Sequence, residues 1–131
     1  MPFHLDTNIA IHARDGSERV SRRMAEHAGQ IFMSALTLAE LQKGLVSTAS
    51  EFELRRARLL LLLSSIPILP FDVEAAEAYG RILERCGWVR GRAFDRMIAA
   101  HAISAGATLV TNNLADFRDI PGVALEDWTE A

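Results

Sequence analysis

The 131-residue chain carries 14 Lys+Arg against 17 Asp+Glu, a formal net charge of −3, and half of its residues are apolar. That apolar content excludes a disordered chain, and the longest apolar run, Leu59–Leu63, is far short of the roughly 20 residues of a membrane span. One cysteine, Cys86, excludes an intramolecular disulfide and a cysteine-built zinc site; with no signal segment, it predicts a cytoplasmic protein of one domain, residues 1–131.

Phe3-His4-Leu5 reads as a short strand ending at Asp6, followed by a helix from about Thr7 to His12. Ser17 is placed to cap a second helix with Val20, Met24 and Ala28 at helical spacing, left through Gly29. Ile31-Phe32-Met33 is a second strand, and Ser34 caps a helix to about Val46 with Leu38, Leu41 and Leu45 inward. Ser50 and Glu53 have the spacing of a capping box for a fourth helix, which carries Glu51 and Arg55 as an i,i+4 pair. Ile66-Pro67-Ile68-Leu69 is a third strand, suited by its proline to a sheet edge. Asp72 caps a helix with Ala75, Ala76, Tyr79, Ile82, Leu83 and Cys86 on one side, closed by Gly87. The loop from Trp88 to Phe94 leads to Asp95, which opens a helix ending near Gly106. Thr108–Thr111 is a fourth strand and Val123–Leu125 a fifth. Alternating strands and helices predict a three-layer α/β/α domain around a mostly parallel sheet of four to five strands. In such folds ligands bind at the carboxyl ends of the strands.

Four acids fall near that edge. Asp6 ends the first strand, Asp95 opens a helix rich in small residues (Ala99, Ala100, Ala102, Ala105), and Asp116 follows the fourth strand. Taken singly, these read as helix caps or a turn residue. Glu40 lies mid-helix in an otherwise uncharged stretch, where its alternatives are an ion pair with Lys43 or a place in a polar site. Four converging carboxylates would repel one another unless a cation neutralised them. Oxygen ligands without cysteine or a required histidine favour Mg²⁺, with Mn²⁺ as a substitute, over zinc. Such a centre can activate water and stabilise charge on a phosphoryl group, which implies phosphodiester hydrolysis.

Leu5-Asp6-Thr7-Asn8, Ala39-Glu40-Leu41 with Gly44, Asp95 with Ile98-Ala99-Ala100-His101-Ala102, Leu109-Val110-Thr111-Asn112-Asn113 and Asp116-Phe117 together resemble the PIN-domain ribonucleases, most closely VapC-type toxins. The resemblance runs from about residue 3 to 125. It implies a Mg²⁺-dependent endoribonuclease in which Asp6, Glu40, Asp95 and Asp116 line the catalytic site. Thr7, Asn8, Thr111 and Asn112 would order that site, and the first and fourth strands would lie side by side at the centre of the sheet. It further implies a homodimer held inactive by a cognate antitoxin protein. Three positions depart from or qualify the pattern. His4 stands where an aliphatic residue is commoner and is expected to pack on the sheet face opposite Phe3 and Leu5. His101 is expected to be structural, and Asn113 stands where some relatives carry a further acid.

The loop Trp88-Val89-Arg90-Gly91-Arg92-Ala93-Phe94 interleaves arginine with aromatics, so Arg90 and Arg92, with Arg14, are candidate RNA contacts, while the two rings are expected to fill the core. Arg19, Arg22 and Arg23 join Arg14 as a cluster placed to hold RNA or an acidic partner segment. A helix apolar all round at Leu59–Leu63 must be covered all round, by the fold or by a partner. Two alternatives compete with the nuclease: an inert PIN-like module that binds RNA or protein, and a metallo-phosphohydrolase of small esters. The acidic total is a poor argument against an RNA substrate, because setting the four clustered acids aside leaves 13 acids against 14 basic residues.

Overall fold

In a computed structural model, which describes residues 2–47 and 49–130, the short apolar runs pair into one sheet. Its strands are β1 (Phe3–Leu5), β2 (Ile31–Ser34), β3 (Ile68–Leu69), β4 (Thr108–Val110) and β5 (Ala124–Glu126), in the order β3-β2-β1-β4-β5 with every pairing parallel. Phe3 registers with Ile31 on one side and Thr108 on the other, so β1 and β4 are central neighbours. The helices are α1 (Thr7–Arg14), α2 (Glu18–Glu26), α3 (Ala35–Val46), α4 (Phe52–Leu63), α5 (Val73–Cys86) and α6 (Ala93–Ser104).

Strand alternation divides the interior into two cores. Phe3, Leu5, Ile31, Met33 and Val110 face the layer of α1 to α4, where Ile9, Leu41, Leu45, Leu59 and Leu62 meet them. Phe32 and Leu109 face α5 and α6, where Ala78, Ile82, Ile98, Ala99 and Ala102 pack. His4 is fully buried on this second face, its ring stacked 4.7 Å from that of Phe32 and 5.3 Å from that of His101. The three-layer α/β/α arrangement and the edge position of β3 are therefore as expected; Pro67 is used only through its carbonyl, which accepts from Met33 N at 3.0 Å. Among the described residues no helix is long and apolar enough to cross a membrane.

Several local expectations need correction. Ser50 does not cap α4, because the chain is already wound into a 3-10 turn at Ala49–Glu51; α4 starts at Phe52 without a side-chain cap. The Glu51–Arg55 pair does form, at 3.0 Å. Asp95 does not open its helix: Arg92 precedes α6 and Asp95 lies in its first turn. Ala28, Ala76 and Ala105 are exposed, and on α5 Ala78 is buried with Ala75 and Ile82. Trp88 is 67 % exposed rather than a core residue, whereas Phe94 packs on the second core.

The buried Trp128 was not foreseen. Its ring lies 5.2 Å from that of Phe3 and is stacked on His27, and its indole N–H donates to Glu126 Oε1 at 3.0 Å. Arg23 pairs with the same Glu126 oxygen at 2.7 Å and Arg19 donates to Thr129 O at 3.0 Å. These two arginines therefore fasten the C-terminal segment to α2 and do not form a cluster at the acid edge. Arg14 is buried and paired with Asp15 at 3.0 Å, so as folded it is not available to RNA.

Candidate active site

β1 ends where its neighbour ends, and Asp6 N donates to Val110 O at 3.0 Å, which extends the β1–β4 pairing by one residue. The chain then turns into α1, and Asp6 caps it: its Oδ1 accepts from Ile9 N at 2.9 Å. The cap reading of Asp6 is correct, and it does not use up the carboxyl. Asp6, Thr7 and Asn8 line a cavity of about 200 Å³ together with Glu40, Phe94, Asp95 and Ile98. Three of the four predicted acids thus meet at the carboxyl edge of the central strand, from the end of β1, the middle of α3 and the first turn of α6. Glu40 is half-buried and, among the described residues, has no ion pair with Lys43.

The electrostatics of this cavity are unfavourable as they stand. Burial pushes the Asp6 carboxyl above the usual carboxylate range; the Thr111 hydroxyl and the Ile9 and Asn8 amides work against that shift, and the Asp95 charge adds to it. Asp95 is pushed up as well, first by burial and then by the Asp116 charge, with Arg92 opposing. The Thr7 hydroxyl oxygen, at the edge of the cavity, is buried without a hydrogen-bond partner. Raised carboxyls and an orphaned oxygen together fit a cation, which would relieve all three. Among the described residues no three acidic, histidine or cysteine side chains form a ready-made metal cage.

Asp116 stands apart from the cavity lining. It ends a 3-10 turn (Leu114–Asp116) after β4, and Phe117 and Ile120, both buried, anchor the segment that follows. Arg92 Nη1 lies 3.3 Å from its Oδ1, and Asn113 Nδ2 donates to its Oδ2. Asn113 N in turn donates to Thr111 Oγ1 at 3.0 Å, which links Asp116 to the hydroxyl that supports Asp6. Asn113, which the sequence marks only for not being an acid, makes both contacts; like Asn112, it is exposed. Arg90 is exposed in the loop before α6. Arg96 was not singled out; its guanidinium is buried and pairs with Asp119 at 3.0 Å, tying α6 to the segment after Asp116. An arginine inside an alanine-rich helix was the available signal.

Comparison with known proteins gives one consistent answer. The PIN domain family matches residues 4–123. Ribonuclease VapC2 of Rickettsia felis is 37 % identical over 134 residues, covering 98 % of each chain. The tRNA(fMet)-specific endonuclease VapC of Salmonella typhimurium is 36 % identical over 132 residues, again covering 98 % of each. Among solved structures, VapBC2 from Rickettsia felis bound to a promoter DNA fragment superposes with a TM-score of 0.86 at 34 % identity, covering 98 % of this chain and 99 % of that one. DNA-bound VapBC from Salmonella typhimurium gives the same score and identity, covering 98 % of each.

Proposed function

This chain belongs to the VapC ribonucleases of the PIN-domain family, and from that premise we propose how its own residues do the work. It is an endoribonuclease, the toxin component of a toxin–antitoxin pair, acting on RNA in the cytoplasm and held by a cognate antitoxin protein. Asp6 and Asp95, with Glu40, hold a divalent cation, Mg²⁺ in the first instance and Mn²⁺ as substitute. The observation that carries this reading is their convergence on one cavity at the carboxyl end of β1.

Bound there, the ion would lower the pKa of a coordinated water and offset charge on the scissile phosphate. The chain's contribution is to hold the oxygens in place. Asp6 is fixed by the Ile9 amide and supported by the Thr111 hydroxyl. Asp95 is fixed by its place in the first turn of α6, whose small residues Ala99 and Ala102 sit fully buried against the sheet. Thr7 and Asn8 shape the cavity wall, and Arg90 is placed on an exposed loop where it can meet RNA phosphates. The exposed leucines of α4, Leu60 and Leu61, form the surface covered by a second copy of the chain in a homodimer.

The Salmonella relative is named for tRNA(fMet), so folded tRNA is the substrate to try first. Incubated with total tRNA and Mg²⁺, the protein is expected to give discrete fragments, and to give none in excess EDTA. Hydrolysis of simple phosphate esters with tRNA left intact would overturn the reading in favour of a small-ester phosphohydrolase.

A further inference from the structure

The four acids divide three to one. Asp6, Glu40 and Asp95 line the cavity; Asp116 does not, although its charge reaches Asp95. Arg92 stands at that division. Its Nη1 lies 3.3 Å from Asp116 Oδ1, and the same nitrogen donates to the Asp116 carbonyl oxygen at 3.2 Å, while Asn113 takes the other carboxylate oxygen. Arg92 is the residue immediately before α6, and Asp116 closes the turn after β4, so the pair joins two of the segments that carry the acids. Arg92 also favours the charged form of Asp95. A side-chain cation therefore already stands on the Asp116 side of the cluster. A second divalent ion held by Asp95 and Asp116 would meet the positive charge of that guanidinium.

We propose that Arg92 is a resident counter-cation that takes the place of a second divalent ion: it holds Asp116 away from the cavity, so that the protein binds one ion, on the Asp6–Asp95 side. Arg92 is thus a positioning residue rather than a catalytic one. The inference rests on the divalent-metal reading of the cavity and adds the number of ions and what limits it.

The test is calorimetric titration of the metal-free full-length protein with Mn²⁺, without RNA. The wild type is expected to bind one ion, and Asp116→Asn to leave that affinity within about 2-fold. Arg92→Gln frees Asp116 and is expected either to tighten binding by about 2- to 5-fold, the range of one opposing charge near the surface, or to add a second ion. The double variant R92Q/D116N is expected to return to wild-type behaviour, which a role for Arg92 in helix packing alone would not produce. Two ions in the wild type, a loss of 10-fold or more in D116N, or unchanged or weaker binding in R92Q would overturn the proposal. The D116N arm decides the matter alone if R92Q does not fold. Mn²⁺ binding by the wild type with no response in R92Q defeats only this inference; no Mn²⁺ binding by the wild type defeats the metal reading as well.

Discussion

Asp6 and Asp95 reach one cavity from different layers of the fold, Asp6 from the end of β1 and Asp95 from the first turn of α6, and the charge of Asp95 helps hold the Asp6 carboxyl above its usual range. A buried and a half-buried like charge in one place lower stability in the apo protein. They are tolerated in many proteins where the site is built for a partner that only assembly with a ligand supplies.

Asp6 has two jobs, and two substitutions separate them. Asp6→Asn keeps a capping side chain for Ile9 N but removes the charge, so cleavage is expected to be lost while the melting temperature stays at or above that of the wild type. Asp6→Ala is expected to lose cleavage and also about 1 kcal/mol of stability, the usual cost of an N-cap. Equal melting temperatures for the two variants would contradict the dual role.

Metal affinity is expected to fall as pH is lowered below neutrality. Asp6 and Asp95 are both raised, so protons compete with the ion at a pH where ordinary exposed carboxylates are already ionised. A Mn²⁺ titration repeated at successively lower pH would show it; a flat profile would argue that neither carboxyl is a ligand.

His4 makes the fold acid-sensitive in the opposite direction to the two acids. Burial, and secondarily the charge of His101, lower it to about 3, so between pH 6.5 and about 3 the unfolded chain binds a proton that the folded chain refuses. Its contribution to stability is therefore intact above pH 6.5 and is lost as pH falls, with a slope approaching about 1.4 kcal/mol per pH unit. Both its ring nitrogens are buried without partners. His4→Leu is expected to flatten denaturation midpoints measured from pH 7 to pH 4.5 and to leave the neutral-pH value unchanged or higher. An unaltered slope would contradict this.

Ala99 is fully buried where α6 meets the sheet, one turn after Asp95. Ala99→Leu overpacks that contact and is expected to cost about 1–3 kcal/mol and to slow cleavage by shifting Asp95. Urea denaturation and a cleavage rate on the same preparation check both halves.

How much of this was legible beforehand depended on the range of the interaction. The parallel sheet with a core on each face and the acids near its carboxyl edge followed from short apolar runs and from the places of Asp6 and Asp95 at or near element ends, because alternation and capping are local rules; the pairing of β1 with β4 followed only from the family resemblance. The roles of Arg19 and Arg23 were not legible: their partners are Thr129 and Glu126, each more than a hundred residues away in the chain. Trp128 was missed for the same reason, since nothing near it in sequence says that Phe3 and His27 will meet it. The loop composition points Arg92 toward RNA; only the fold brings it against Asp116.

The most direct measurement is the rate of cleavage of an end-labelled folded tRNA by wild type and by Asp95→Asn as Mg²⁺ is titrated from zero. The account predicts a saturable Mg²⁺ requirement in the wild type and, in the folded Asp95→Asn protein, a rate lower by at least about 100-fold at every concentration. Cleavage by Asp95→Asn at the wild-type rate, or wild-type cleavage that persists undiminished in EDTA, would contradict it.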